Sequence, residues 1–148
     1  MTDTEYMKLA LAEAEKAGKE GEIPIGAVLV YKDVVLAMAH NEREQGFDPT
    51  AHAEIIALRK GARYLSNWRL TPCTLYVTIE PCAMCAGAIM NARVGRLVYG
   101  APNAQAGGVD SHFHICDGSV MNHSLIVRSG ILQQECQELM DRFFQSRR

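Results

Sequence analysis

The chain has 148 residues, enough for one domain over 1–148 that buries its own core without covalent staples. With 48% hydrophobic and 22% charged residues, and no unbroken apolar run of roughly 18, its composition is globular and excludes a membrane-spanning helix. A net charge of -2 argues against a protein bathed in positive potential, and the acid-bearing N-terminus lacks an export signal, so a cytoplasmic protein is expected.

From Thr4 to Ala17 apolar residues recur at helical spacing, with Gly18 as the expected stop. Pro24 precedes IGAVLVY, which Lys32-Asp33 turns into VVLAMAHN, the pattern of a hairpin. A polar loop leads to Thr50, an expected N-cap, and to a helix from about Ala51 to Leu65. TLYVTI reads as a buried strand, CAMCAGAIMNA after Pro81 as a helix, and RLVYG as another strand. Ala101 to Ser119 reads as a long irregular loop, followed by a short strand near Ser124 to Val127 and a helix from about Ile131 to Gln145. Strands alternating with helices imply an α/β fold, three layers α/β/α around a mixed sheet.

Five cysteines, an odd number at uneven spacing with no export signal, argue against a disulfide scaffold. Cys82 and Cys85 stand at i and i+3 where a helix is predicted to begin, a place that stabilises thiolates. With His52 they form three ligands of the kind zinc prefers, leaving a fourth position for water. A proton-carrying carboxylate is then required. Glu54 lies two residues from His52, yet i and i+2 point apart on a regular helix, so both reach one pocket only at a frayed start. Glu80, beside the cysteines, is the rival. The composite H-x-E, 26 intervening residues, then P-C-x-x-C is the signature of zinc-dependent nucleobase deaminases.

The resemblance extends along nearly the whole chain. IPIGAVLV, Asn41, DPTAHAEIIALR, NWRL, TLYVTIEPCAMCAGAI, VYGA, MNH and the closing FFQSRR resemble the bacterial tRNA-specific adenosine deaminases of the cytidine/deoxycytidylate deaminase superfamily. That resemblance implies a cytidine-deaminase-like fold with a five-stranded sheet. It implies His52, Cys82 and Cys85 as ligands of one Zn2+ per subunit, and Glu54 as the proton shuttle. It also implies hydrolytic conversion of adenosine to inosine at the wobble position of an arginine tRNA, by attack of a zinc-bound hydroxide on a flipped-out base. Asn41 is expected to hydrogen-bond that base, and a homodimer is expected to build the RNA site, with no DNA or membrane partner. After VYGA, an acid and a lysine found in many relatives are replaced by Asn103 and Gln105, in a loop expected to touch nucleotides around the base.

Other readings compete. Two core thiols, a redox pair, or a closed structural zinc completed by Cys73, His112, His114, Cys116 or Cys136 would each use Cys82 and Cys85 differently. His112, His114 and Cys116 at alternate positions suit a surface or substrate-facing segment better than a second metal site. His40 reads as a satisfied, partly buried side chain and Cys136 as core. Trp68 suits packing, whereas Phe113 is a candidate for stacking on a base. Arg142, Arg147 and Arg148 suit a solvated helix end on composition alone and, with the resemblance, phosphate contact. Deamination of a free base and a non-catalytic zinc module are the remaining function classes.

Overall fold

The computed structural model describes residues 1–119, 123 and 125–147. In chain order the elements are α1 (Asp3–Lys19), β1 (Gly26–Tyr31), β2 (Val34–His40), α2 (Ala53–Leu65) and β3 (Cys73–Ile79). Then follow α3 (Ala83–Asn91), β4 (Arg96–Ala101), a 3-10 turn at Ile115–Asp117, β5 (Ile126–Arg128) and α4 (Gln133–Gln145). The strands form one mixed sheet in the order β2-β1-β3-β4-β5. β1 is antiparallel to β2 and β3, while β3-β4 and β4-β5 are parallel.

Alternation along the strands splits the core in two. Ala27, Leu29, Leu75, Val77 and Leu97 pack with Ala57 and Leu58 of α2 and with Ile89 and Met90 of α3. Val28, Val30, Tyr76 and Val98 face the other way, toward Met7 and Ala10 of α1 and Cys136 of α4. The result is the expected α/β/α sandwich. The hairpin turn is as read: Lys32 and Asp33 both take positive φ (47° and 63°), the left-handed pair that a two-residue turn of this hand needs.

Three boundaries differ from expectation. α1 runs through Gly18 to Lys19, and Gly21, at φ 82°, follows its cap residue Glu20. α2 begins at Ala53 with His52 as its cap residue, because Thr50 spends its hydroxyl and N–H on the Asp48 carboxylate. β5 and α4 start later than read, at Ile126 and Gln133. Ser124, the Met121-Asn122 part of MNH, and Arg148 lie outside the described residues. Among the described residues no helix is long and apolar enough to cross a membrane.

β1 enters the sheet directly beneath α1. A Cβ on Gly26 would stand 2.0 Å from the Ala10 carbonyl oxygen and 2.6 Å from the Ala14 nitrogen. Backbone cannot rotate away as a side chain can, so Gly26→Ala is expected to lose stability at or above the upper end of the about 1–3 kcal/mol usual for overpacking. Urea unfolding would show it as a lower midpoint at unchanged slope. A wild-type midpoint would mean that α1 shifts freely on the sheet.

Candidate active site

The ends of four strands meet at one edge of the sheet. There β2 runs into Asn41, β3 into Glu80-Pro81-Cys82, and β4 into Pro102, while β1 begins at Gly26 opposite His40. Two helix N-termini, those of α2 and α3, point into the same edge, the place where open α/β sheets bind ligands.

His52 and Cys82 are the cap residues of α2 and α3. Both have extended backbone (ψ 153° and 176°), and neither side chain caps its own helix, which frees imidazole and thiol for other work. His52 Nδ1 lies 3.7 Å from Cys82 Sγ and 3.5 Å from Cys85 Sγ. The three donor atoms all fall within 4.8 Å of one another. Because His52 precedes the first helical residue, the opposed directions of i and i+2 do not apply, and Glu54 shares its pocket.

The orphan N–H of α2 is satisfied from a distance. Asn41 Oδ1 accepts from Ala53 N–H at 2.9 Å, and Asn41 Nδ2 donates to the Ile23 carbonyl at 3.2 Å. Asn41 is only 3% exposed, yet it lines the cleft, and its second amide hydrogen is uncommitted among the described residues.

The electrostatics follow from burial and proximity. The Cys85 side chain and the His52 imidazole hold the Cys82 thiol down at about 4, against a burial effect of opposite sign. The neighbouring Cys82 sulfur and burial push Cys85 far up, and the hydrogen bond to Cys82 raises His52. Burial lifts the Glu54 carboxyl to about 7. Glu54 is 3% exposed, and its Oε1 has no hydrogen-bond partner among the described residues. Two soft sulfurs, one imidazole nitrogen and an orphaned carboxylate oxygen beside them fit a zinc ion with one open position.

The rival carboxylate is occupied elsewhere. Glu80 accepts backbone N–H groups from Asn103, Val109, Asp110 and Ser111. Burial opposes its charge, but the Ser111 hydroxyl and those N–H donors outweigh it and lower its pKa. The loop after β4 is therefore irregular but organised.

A cleft of about 470 Å³ opens above the triad. Asn41, Arg43, His52, Glu54, Glu80 and Cys82 line it, and residues 102–106, including Asn103, contribute a wall. Asn103 Oδ1 accepts from Ala106 N–H at 3.0 Å, closing a turn within that wall. Gln137, Met140, Asp141 and Phe144 of α4 complete the rim, a face the sequence reading missed. The signal was present, since these positions recur at helical spacing, but the reading weighed only the apolar side and the arginines of that helix. Arg43 was missed because nothing local distinguishes it from a solvated loop cation.

Other expected site residues stand apart. Phe113 is 55% exposed but is not a lining residue of the cleft. Arg142 is exposed on α4 next to the cleft residue Asp141, and Arg147 stacks over the Phe143 ring at 4.1 Å. Among the described residues His112, His114 and Cys116 join no metal-binding group, and Cys73, Cys116 and Cys136 are buried singly. His40 bonds Glu13 and Glu20, as a satisfied side chain should. Trp68, read as packed, is 58% exposed and lies against Arg69.

Comparison with known proteins agrees with this geometry. Residues 1–148 match the MafB19-like deaminase family. A tRNA-specific adenosine deaminase of Haemophilus influenzae is 51% identical over 147 residues, covering 99% of this chain and 85% of the relative. A structure from work on A-to-I editing by tRNA:A34 deaminases superposes with a TM-score of 0.89 at 43% identity, covering 92% of this chain and 99% of that one. A Bacillus subtilis guanine deaminase structure is similar over less of the chain: TM-score 0.66, 38% identity, 69% of this chain and 66% of that one. The chain belongs to the MafB19-like deaminases and, within them, to the tRNA-specific adenosine deaminases.

Proposed function

We propose that this protein hydrolyses adenosine to inosine at the wobble position of tRNA, with an arginine tRNA as the expected substrate. The observation that carries the reading is Glu54 Oε1, buried and among the described residues without a partner, beside His52, Cys82 and Cys85. A catalytic site needs such a free carboxylate, and a closed structural site has no use for one.

A zinc ion held by His52, Cys82 and Cys85 would supply Lewis acidity and lower the pKa of water at its open position. Glu54 accepts a proton from the attacking water, delivers it to N1 of adenine, and carries the second to the amino nitrogen that leaves as ammonia. The C6–O bond forms, the C6–N bond breaks, and both water protons are accounted for. Burial of Glu54 keeps bulk water from competing for those protons, and a pKa near neutrality suits a group that must take and give. Asn41 fixes the start of α2, hence His52 and Glu54, and offers its remaining N–H to the base. A base inside a duplex cannot reach this floor, so the target enters from a loop. Asn103, Phe113, Arg142 and Arg147 are assigned to the flanking nucleotides and phosphates.

We place the homodimer contact on the apolar groove lined by Ile55, Leu58, Ala62, Trp68, Leu70 and Ala88, where an exposed tryptophan calls for cover. Such a substrate is met in the cytoplasm.

The similarity to a guanine deaminase keeps one further reading, deamination of a free base. Zinc-loaded protein offered an arginine-tRNA anticodon stem-loop, and separately adenosine, guanine, cytosine and cytidine, decides between them. Inosine in the stem-loop alone is expected. Ammonia from guanine would move the protein to the free-base class, and a zinc-loaded protein inert on all five would make it a binding module.

A further inference from the structure

One buried carboxylate outside the chemistry remains to be assigned. Glu80 is 2% exposed and gathers N–H groups from Asn103 (3.0 Å), Val109 (3.2 Å), Asp110 (2.7 Å) and Ser111 (2.9 Å), with the Ser111 hydroxyl as well. The segment so gathered is also tied to the triad. Gly108 N–H donates to the Pro81 carbonyl at 2.8 Å, and Gly107 pairs with Cys82 in an isolated bridge. The fit around the carboxylate is close, for a Cβ on Gly107 would approach it to 2.4 Å. Residues 102–106, the first stretch of this segment, line the cleft together with Glu54.

The stretch around Arg43, another lining residue, is hung the same way. Glu22, also 2% exposed, accepts the N–H groups of Glu44 (3.2 Å) and Gln45 (2.8 Å) in the loop that carries Arg43. Two irregular stretches of the cleft lining are thus each tethered through backbone N–H groups to a buried glutamate.

We propose that Glu80 is a positioning residue for substrate: it holds the 102–106 wall at a fixed separation from the His52-Cys82-Cys85 triad and so sets affinity for the nucleotides beside the target base. The inference rests on the tRNA reading given above. A wall already ordered in the free protein is not ordered at the expense of binding, and affinity rises accordingly. Only a group with acceptors alone can serve donors on every side. Glutamine in its place turns an NH2 toward N–H groups and leaves part of the set unpaired. Glu80 lines the cleft, but its oxygens are committed to the 103–111 loop and among the described residues it makes no hydrogen bond to Glu54 or the triad, so its loss should weaken binding more than it slows the chemistry.

The test measures binding and turnover separately. Binding uses a labelled arginine-tRNA anticodon stem-loop with zinc-loaded protein in a Glu54→Gln background, and turnover uses the single variants. For Glu80→Gln and Gly107→Ala, Kd is expected to rise on the order of tenfold. Exposed Ser111→Ala should give roughly a threefold rise, with zinc content unchanged throughout and kcat within about threefold of wild type. An unchanged Kd overturns the proposal, and so does loss of zinc, which would make Glu80 a support of the ligands. If Glu80→Gln does not fold, Ser111→Ala decides by the same criteria. If the wild-type chain leaves the stem-loop unedited, the substrate reading falls separately. Hydrogen exchange at the amides of Asn103, Val109, Asp110 and Ser111 then tests the hold itself: faster exchange in Glu80→Gln supports it, and unchanged exchange removes it.

Discussion

Glu54→Gln is expected to lower kcat on the stem-loop by about 10²–10⁴-fold, the usual contribution of a positioned proton carrier. The rest of the protein should hardly respond. Glutamine has the same shape, and among the described residues Glu54 Oε1 has no hydrogen-bond partner for the change to break. Burial already disfavours the Glu54 charge, lifting its pKa to about 7, so removing the ionisable group should leave the melting temperature unchanged or raise it slightly. Zinc content and stem-loop affinity should match wild type, because neither depends on a proton in transit. Single-turnover kinetics with metal analysis on one preparation separates these quantities. A variant that keeps more than about a tenth of the wild-type rate would remove Glu54 from the chemistry. One that loses its zinc would make Glu54 a ligand or a ligand's support.

Much of the fold was legible because its signals are local. The Lys32-Asp33 turn, the β-branched runs that became β1 and β3, and the apolar spacing of α1 each declare themselves within a few residues. The start of α2 did not, and the reason is physical. Thr50 has the right side chain for a cap but is held by Asp48, while the N–H it was expected to satisfy is met by Asn41, twelve residues earlier in sequence. Gly18 misled in a similar way: helical propensity alone marks it as a stop, yet α1 continues to Lys19 and the positive φ comes only at Gly21, beyond the cap residue Glu20. The triad itself was readable because cap positions and i,i+3 spacing are sequence properties. The choice between Glu54 and Glu80 was not, since it turns on which carboxylate is left unpartnered after the loop beyond β4 has folded. Residues 103–111 carry no periodic signal, and their order derives from a glutamate more than twenty residues away. The α4 face of the cleft was visible as the helical spacing of Gln137, Met140, Asp141 and Phe144, but nothing in one helix reveals which neighbour such a face will meet.

Removing the metal is expected to abolish activity while sparing the fold. Each ligand sits on an element that other contacts already hold: α2 and α3 pack through Ala57, Leu58, Ile89 and Met90 into one core, and Asn41 and Glu80 fix the surrounding loops. This differs from a small zinc knuckle, where binding energy is folding energy. Metal at one hundred times its Kd adds about 2.7 kcal/mol to stability. For a chain of this length that corresponds to a fall of roughly 5–10 °C in melting temperature after chelation. Far-UV circular dichroism should be retained, and adding zinc should restore both melting temperature and turnover. Cys85→Ala, which deletes a fully buried donor, should stay at the lower melting temperature and regain nothing on zinc addition. Global unfolding on chelation would instead show that the site is structural as much as catalytic. Turnover that survives in thoroughly metal-free protein would leave Glu54 acting without a Lewis acid, and the assignment of His52, Cys82 and Cys85 as ligands would fall with it.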